Sequence, residues 1–350
     1  MRRALLLTLA ALLGAATPAA AQDGEVVAHL DRATPIAAYG DVLAYSVRDP
    51  QSGLFRLTIR TGGVVNPAPV APRALPFDVD LGPTTTGTVA AVYSRCAREV
   101  GPGGASDALY GRGRGCDLYR LDLATGTEQR LEQASSPTAS EFWPTTWRDR
   151  IAFARTYDTK RSFPYLYTRP VDGPGRSVRL PGGPRGECGR DRRTSRRFCS
   201  TQTLSRPAAL DLYGRRLAFT WKFSGFAEGL DTEIRMDTIG GGHVQVQRQD
   251  GGGLTSAQLG WPAFEGGRLF FDQECSGDPS GCNGRARLSR DRISTGEIDR
   301  VPAPAAVLSH DRAGGASYLL VDGQPGSACM GDPEVPGGTC ELLALQPAFG

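Results

Sequence analysis

The residues of this chain that could carry out chemistry are few, and their arrangement favours binding over catalysis. Only three histidines occur, and each falls in a predicted outer strand or beside a tight turn: His29, His243 and His310. No G-x-S-x-G sequence marks a serine nucleophile, and no C-x2-C or D-x-D-x-D-G spacing marks a zinc or calcium site. A catalytic triad needs a histidine base, and no histidine is predicted near a long loop. The sequence predicts no catalytic residue, no metal site and no cofactor.

Positive charge is concentrated in one segment. Six arginines against two acidic residues occur between positions 185 and 197. Guanidinium groups bind carboxylates and phosphates through paired hydrogen bonds, so this segment predicts a site for an anionic partner. The alternative is a solvated loop in a chain that uses arginine almost throughout, with Lys160 and Lys222 as its only lysines. The candidate ligand-binding residues are Arg185, Arg190, Arg192, Arg193, Arg196 and Arg197.

Eight cysteines occur in pairs that are close in sequence. An even number with such spacing in an exported chain indicates disulfide bonds between nearest neighbours, and no pair has the spacing of a zinc site. The predicted bonds are Cys96–Cys116, Cys188–Cys199, Cys275–Cys282 and Cys329–Cys340.

The first residues resemble a secretory signal. Arg2 and Arg3 precede an apolar stretch over residues 4–13, and Pro18 and three alanines follow. This pattern predicts a signal peptide over residues 1–21 and a secreted protein, extracellular or periplasmic, over residues 22–350. About ten apolar residues are too few to cross roughly 30 Å of hydrocarbon, so no transmembrane segment is expected. Without the signal the formal charge falls from +3 to +1, which gives no indication of a nucleic-acid partner.

A turn followed by an apolar strand recurs along the chain, and a strand with alternating polarity follows each copy. With 45 glycines and 25 prolines, the composition also favours many short strands. Four antiparallel strands repeated six times predict an all-β, six-bladed β-propeller. The copies are Gly40–Tyr45, Gly87–Tyr93, Arg148–Phe153, Gly214–Phe219, Gly266–Phe271 and Gly314–Leu320.

The two ends of the chain are expected to meet. The last copy has no fourth strand after Leu345, and the strand-like segment Glu25–Leu30 precedes the first copy. Because an open edge strand invites aggregation, we expect this segment to complete the last blade. Residues 22–350 then form a single propeller domain.

The repeat resembles that of the TolB-type propellers, which are relatives of the WD-repeat propellers. Arg150–Phe153 matches the apolar strand of their blades, and Leu118–Leu123 matches the strand that follows it. The resemblance covers nearly the whole predicted mature chain, although the Ser-Pro-Asp-Gly turn of the family is nowhere intact. It implies a protein-binding or scaffolding role.

Long loops are expected on one face of the propeller. With the strands of a blade lettered A to D from the centre outward, the B–C loops and the D–A connections share a face, here named the long-loop face. The longest segments and all four predicted disulfides fall there. Disulfides would pre-organise those loops for a partner or protect an exported protein from proteolysis. The sequence thus predicts a non-enzymatic protein that binds a protein or an envelope polymer through this face.

The alternative is a carbohydrate-active enzyme, a glycosidase or lyase, that uses carboxylates at the mouth of the central channel. Glu141 is predicted near the channel end of one inner strand, whereas Asp80 and Asp211 are predicted toward the opposite face, which disfavours a catalytic pair. Tryptophans of the inner strands could stack on sugars, but packing between blades is the expected role. These are Trp143, Trp147 and Trp261.

Overall fold

The computed structural model describes the chain in segments between positions 24 and 345, and every regular element within them is a β-strand. The described residues include no helix that could span a membrane. The predicted signal peptide lies outside the described residues. The described residues are 24–99, 113–157, 164–181, 188–190, 197–199, 206–224, 230–249, 256–276, 287–292, 297–301, 307–310, 316–322, 329 and 340–345.

Five blades are antiparallel sheets of four consecutive strands. Blade 1 contains β2 (Ile36–Tyr39), β3 (Val42–Arg48), β4 (Phe55–Thr61) and β5 (Val64–Pro67). Blade 2 contains β6 (Asp80–Pro83), β7 (Val89–Glu99), β8 (Gly113–Asp122) and β9 (Thr127–Arg130). Blade 3 contains β10 (Ala139–Trp147), β11 (Arg150–Tyr157), β12 (Tyr165–Pro170) and β13 (Val178–Arg179).

Blade 4 follows a short hairpin of β14 (Cys188–Arg190) and β15 (Arg197–Cys199). It contains β16 (Arg206–Tyr213), β17 (Arg216–Ser224), β18 (Leu230–Thr238) and β19 (His243–Gln249). Blade 5 contains β20 (Ser256–Glu265), β21 (Arg268–Ser276), β22 (Arg287–Arg292) and β23 (Glu297–Val301). The chain then supplies β24 (Val307–His310), β25 (Ser317–Asp322) and β26 (Cys340–Leu345).

The structure corrects the predicted number of six blades: five blades are built from four consecutive strands. After the sixth copy of the motif, the chain supplies too few strands for another blade of four consecutive strands. A composite four-stranded sheet forms there only because β1 (Glu25–Leu30), from the other end of the chain, pairs with β26. The prediction counted blades from a motif that marks only the second strand of a sheet, and a second strand does not guarantee four consecutive ones.

The sheets pack side by side through their inner strands. The contacts run in the order β2, β6, β10, β16, β20 and β24, and β24 in turn contacts β2, so the composite sheet closes the ring. Inner and second strands are buried on both faces, as in β3, whose Leu43 and Ala44 are fully buried. The outermost strands of the first three blades are mostly exposed, and Val64 of β5 keeps 62% of its surface in solvent. The core therefore lies between the sheets.

Blades 2 and 3 approach so closely near the axis that Gly82 has no room for a side chain. A Cβ atom at this position would lie 2.4 Å from the carbonyl oxygen of Thr146 in β10. We expect the substitution Gly82→Ala to lower the free energy of unfolding by about 1 to 3 kcal/mol, because the clash involves backbone that cannot rotate away. Urea denaturation measures this. Gly267→Ala is the control, since nothing lies within 4 Å of its Cβ position, and an equal effect of both substitutions would contradict the close approach.

Candidate functional site

Two of the predicted disulfides are confirmed, and both lie on the long-loop face. Cys96 and Cys116 are bonded between β7 and β8 with their Cα atoms 3.7 Å apart. Cys329 and Cys340 are bonded at the β25–β26 loop with Cα atoms 4.9 Å apart. Both connections are B–C loops. The side chains of the other four cysteines, Cys188, Cys199, Cys275 and Cys282, lie outside the described residues. The backbone nevertheless places Cys188 opposite Cys199 in the β14–β15 hairpin.

The hairpin of β7 and β8 extends beyond the rest of blade 2. We call its outer part, residues 95–99 and 113–117, the arm. Glu99 ties one side of the arm to the connection from blade 1: its Oε1 accepts a 2.6 Å hydrogen bond from Arg73 Nε, and its Oε2 accepts one of 2.6 Å from the backbone N–H of Ala74. On the other strand, the N–H of Gly115 donates to Ser140 Oγ of β10 at 2.9 Å. The arm is therefore anchored to neighbours on both sides.

Aromatic rings and an arginine stiffen the base of the arm. The Arg95 guanidinium lies 5.7 Å from the ring centres of Tyr93 and Tyr119 and 5.9 Å from that of Phe77. Its Nε donates a 2.7 Å hydrogen bond to Glu128, which also accepts one from the Tyr93 hydroxyl. Burial raises the pKa of Tyr93, and its hydrogen bond to Glu128 raises it further. The hydroxyl therefore stays protonated and keeps donating at any ordinary pH.

The channel, where the inner strands meet, contains a pocket of about 40 Å³. Asp80 and Asp211, which the sequence placed on inner strands, both line it. So does Asp78, which the sequence reasoning missed although it lies two residues before Asp80 and so on the same side of an extended segment. Trp143 and Trp261 complete the wall, with ring centres 5.7 Å apart in an edge-on contact.

Asp78 and Asp80 join blade 2 to blade 3. The carboxylate of Asp78 accepts hydrogen bonds from the Ser94 N–H at 2.9 Å, the Ser94 hydroxyl at 2.7 Å and the Trp143 N–H at 2.8 Å. Asp80 Oδ2 accepts from the Thr145 hydroxyl and the Thr146 N–H, both at 2.8 Å. These two carboxylates bind the inner strand of the next blade.

The same connection continues around the ring. The Thr145 hydroxyl of blade 3 accepts a 2.9 Å bond from the Leu212 N–H of blade 4, and Asp211 of blade 4 accepts one of 2.6 Å from the Phe264 N–H of blade 5. In each strand that donates these N–H groups, the donating residue lies just after a β-bulge, as Leu212 and Phe264 do. Inner strands have a ladder partner on one side only, so a side chain of the neighbouring blade can satisfy the N–H groups on their other side. The bulge residues have positive φ values of 52°, 49° and 49°, at Trp143, Ala209 and Trp261.

Glu141 does not share this pocket. Its side chain is fully buried and faces Arg155 across β10 and β11, with Oε1 2.7 Å from Arg155 Nε. Oε2 accepts a 3.2 Å hydrogen bond from the Ser136 N–H. Burial raises the pKa of Glu141 to about 7, although the positive charge of Arg155 lowers it. The structure thus does not bring Glu141 together with Asp80 or Asp211 at an open site.

The histidines and Trp147 belong to other environments. His29 is exposed and lies 3.8 Å from Glu341 Oε1. His243 contacts the buried carboxylate of Asp237 across β18 and β19, and neither of these histidines lines the channel pocket. The side chain of His310 lies outside the described residues. Trp147 packs against Tyr213, with ring centres 4.6 Å apart, as expected for contacts between blades.

The arginine-rich segment is described only in part. Arg190 lies in β14 directly opposite Arg197 in β15. The side chains of these two residues lie outside the described part of the chain, as do the other four arginines entirely: Arg185, Arg192, Arg193 and Arg196. An anionic ligand for this segment therefore stays a prediction.

Comparison with protein-family models and with curated proteins finds no match. Among solved structures, the fold is similar to that of TolB from Acinetobacter baumannii, with 14% identity, 88% of this chain and 65% of that chain covered, and a TM-score of 0.49. A puromycin-hydrolyzing peptidase of Mycobacterium tuberculosis has 15% identity, coverages of 83% and 49% and a TM-score of 0.47. The α-L-arabinanase of Penicillium chrysogenum complexed with arabinobiose has 10% identity, coverages of 93% and 95% and a TM-score of 0.47.

The topology itself defines the chain as an all-β propeller protein. The chain spans 65% of the length of that TolB and about half that of the peptidase. Similarities at this distance do not transfer a function, and they extend to a peptidase and a glycosidase as well as to TolB. The propeller part of the sequence resemblance is confirmed, whereas membership of the TolB-type family stays a prediction.

Proposed function

We propose that this protein is an exported, non-enzymatic propeller that binds a protein or a cell-envelope polymer through its long-loop face. The anchored arm is the observation that carries the proposal. A hairpin that is closed by the Cys96–Cys116 bond and tied down by Glu99 and Ser140 loses little conformational freedom when a partner binds. Such pre-organised loops on a rigid scaffold are typical of binding proteins.

Export is supported by the covalent chemistry of the same face. Disulfide bonds form and persist in oxidising compartments and are rare in the cytosol. The two described bonds, Cys96–Cys116 and Cys329–Cys340, fit a secreted protein, extracellular or periplasmic, and agree with the signal peptide predicted over residues 1–21.

The state of the channel carboxylates favours binding over turnover. Asp78, Asp80 and Asp211 accept hydrogen bonds from the adjoining blade, so each has a structural task. The pocket that they line is small, with a volume of about 40 Å³. Glycoside hydrolysis needs two carboxyl groups free to flank a bound sugar, whereas these carboxylates already accept hydrogen bonds from the adjoining blade.

A glycan array combined with a reducing-sugar assay tests the proposal. We expect the mature protein to retain envelope polymers or to capture a protein partner without releasing new reducing ends. Release that depends on the protein would contradict the proposal and favour the carbohydrate-active enzyme. The variant Asp80→Asn keeps the size of the side chain and serves as the matched control. If Asp80 were catalytic, this change would abolish the release of reducing ends.

A further inference from the structure

The arm carries two arginines in an arrangement that its fold does not require. Arg98 of β7 lies directly opposite Arg114 of β8, two positions beyond the bonded pair Cys96 and Cys116. Alternate residues of a strand project on the same side, so the arginine pair and the disulfide share one side of the arm. Glu99 projects on the other side, the side that is tied to blade 1. Both arginines are exposed.

Two like charges in directly opposite positions of a hairpin destabilise it. The acidic residues of the arm do not compensate for this pair, because Glu99 binds Arg73 and Asp117 binds Arg130. Neither Arg98 nor Arg114 forms an ion pair with any residue that the structure describes. The arm therefore holds two adjacent guanidinium groups open to solvent.

The same backbone register occurs in the second hairpin of this face. Cys188 lies opposite Cys199, and two positions further Arg190 lies opposite Arg197. The sequence reads C-x-R on the first strand and R-x-C on the second in both hairpins. The other two cysteine pairs lack it, since the residues two positions inside Cys275, Cys282, Cys329 and Cys340 are glycines or a serine. The arginine-rich composition of the chain alone therefore does not account for the repeat.

Both hairpins leave the propeller on the same face. The arm is the B–C loop of blade 2, and β14–β15 lies in the D–A connection between β13 and β16. In a four-stranded antiparallel blade these two kinds of connection emerge on one side. The face thus presents the same pair of register positions twice.

We propose that the two hairpins are copies of one anion-binding device and that their ligand is an anionic polysaccharide. Cβ atoms of directly opposite residues lie about 5 Å apart, close enough for both guanidinium groups to bind one carboxylate or sulfate. A device that occurs twice on one face fits a ligand whose anionic group recurs along a chain. This inference rests on the proposed function and names the class of its ligand.

The test compares the double variant Arg98→Gln/Arg114→Gln with Arg190→Gln/Arg197→Gln and with a control of equal charge change. Arg176→Gln/Arg216→Gln is the control, because both residues are exposed and lie at C–D and A–B turns of the opposite face. The probes are polygalacturonate, dextran sulfate, neutral dextran and polyglutamate, measured by titration calorimetry. We expect each long-loop-face variant to bind polygalacturonate or dextran sulfate about 10- to 100-fold more weakly than the control.

A lysine variant keeps the test independent of folding. Arg98→Lys/Arg114→Lys retains the charge but loses the paired donors, and we expect an affinity between those of the wild type and the glutamine variant. The inference is overturned if the glutamine variants bind as tightly as the control. It is also overturned if the wild type binds polyglutamate or neutral dextran as tightly as the anionic polysaccharides. If a protein or neutral polymer is instead captured through the long-loop face, the proposed function stands and the inference fails. Release of reducing ends overturns both.

Discussion

Replacing Asp78 with alanine is expected to lower the free energy of unfolding by about 3 to 5 kcal/mol, because it removes a buried charge from its partners. The Asp78 side chain is fully buried and accepts three hydrogen bonds, two from Ser94 and one from the Trp143 N–H. Arg73, itself 3% exposed, lies 3.6 Å from the carboxylate. The substitution leaves the Trp143 N–H without this acceptor and Arg73 without this nearby charge. Urea denaturation, followed by tryptophan fluorescence, measures the effect.

Asp172→Ala is the matched control for this prediction. Asp172 pairs with Arg120 at 3.1 Å, but its side chain is 64% exposed, and such a surface pair contributes little. Asp78→Asn separates charge from shape, since it keeps one acceptor oxygen. A loss for Asp78→Ala no larger than that for Asp172→Ala would show that the link between blades 2 and 3 does not stabilise the propeller.

The second large effect is a dependence of stability on pH that comes from Glu141. Burial raises the pKa of this carboxyl to about 7 in the folded protein, above the value of about 4.3 in an unfolded chain. A group whose folded pKa is raised stabilises the fold fully below its unfolded pKa, and this contribution is lost as the pH rises through the folded pKa. Between pH 4 and pH 8 the loss is on the order of 3 kcal/mol. The nearby charges are those of Arg155 and Asp117.

Denaturation of the wild type and of Glu141→Gln across this pH range tests the effect. Glutamine does not titrate, but it has one acceptor oxygen and so keeps an acceptor for Arg155 or for the Ser136 N–H, not for both. We expect the free energy of unfolding of the wild type to fall relative to that of the variant as the pH rises from 5 to 8. Glu132→Gln, at a position 68% exposed, is the control and should follow the wild type. Parallel curves for wild type and Glu141→Gln would contradict the shift.

Much of the fold could be predicted because local patterns encode it. The alternation in Leu118–Leu123 and the apolar segment Arg150–Phe153 both mark strands: the first lies in β8 except for Leu123, which follows its end, and the second lies in β11. The segment Glu25–Leu30 lies beside β26, where an otherwise open edge required a partner. The number of blades was predicted wrongly, because six copies of the motif were counted as six blades although the last copy has no fourth strand of its own.

The structural role of the channel acids could not be predicted, because their partners are distant in sequence. Asp78 accepts a bond from Trp143, 65 positions further along the chain, through a backbone group that lies in a bulge. The arginine pair of the arm was missed for a different reason. The sequence reasoning weighed the density of arginine in residues 185–197, whereas the register of Arg98 against Arg114 follows only once β7 and β8 are paired.

Hydrogen exchange of the mature protein with and without polygalacturonate tests the central claim most directly. If the long-loop face binds the polymer, the amide hydrogens of the arm, residues 95–99 and 113–117, and of the β14–β15 hairpin exchange more slowly in its presence. The A–B and C–D turns of the opposite face keep their rates. Slower exchange confined to the channel around Trp143 and Trp261, or to the opposite face, would contradict binding through the long-loop face.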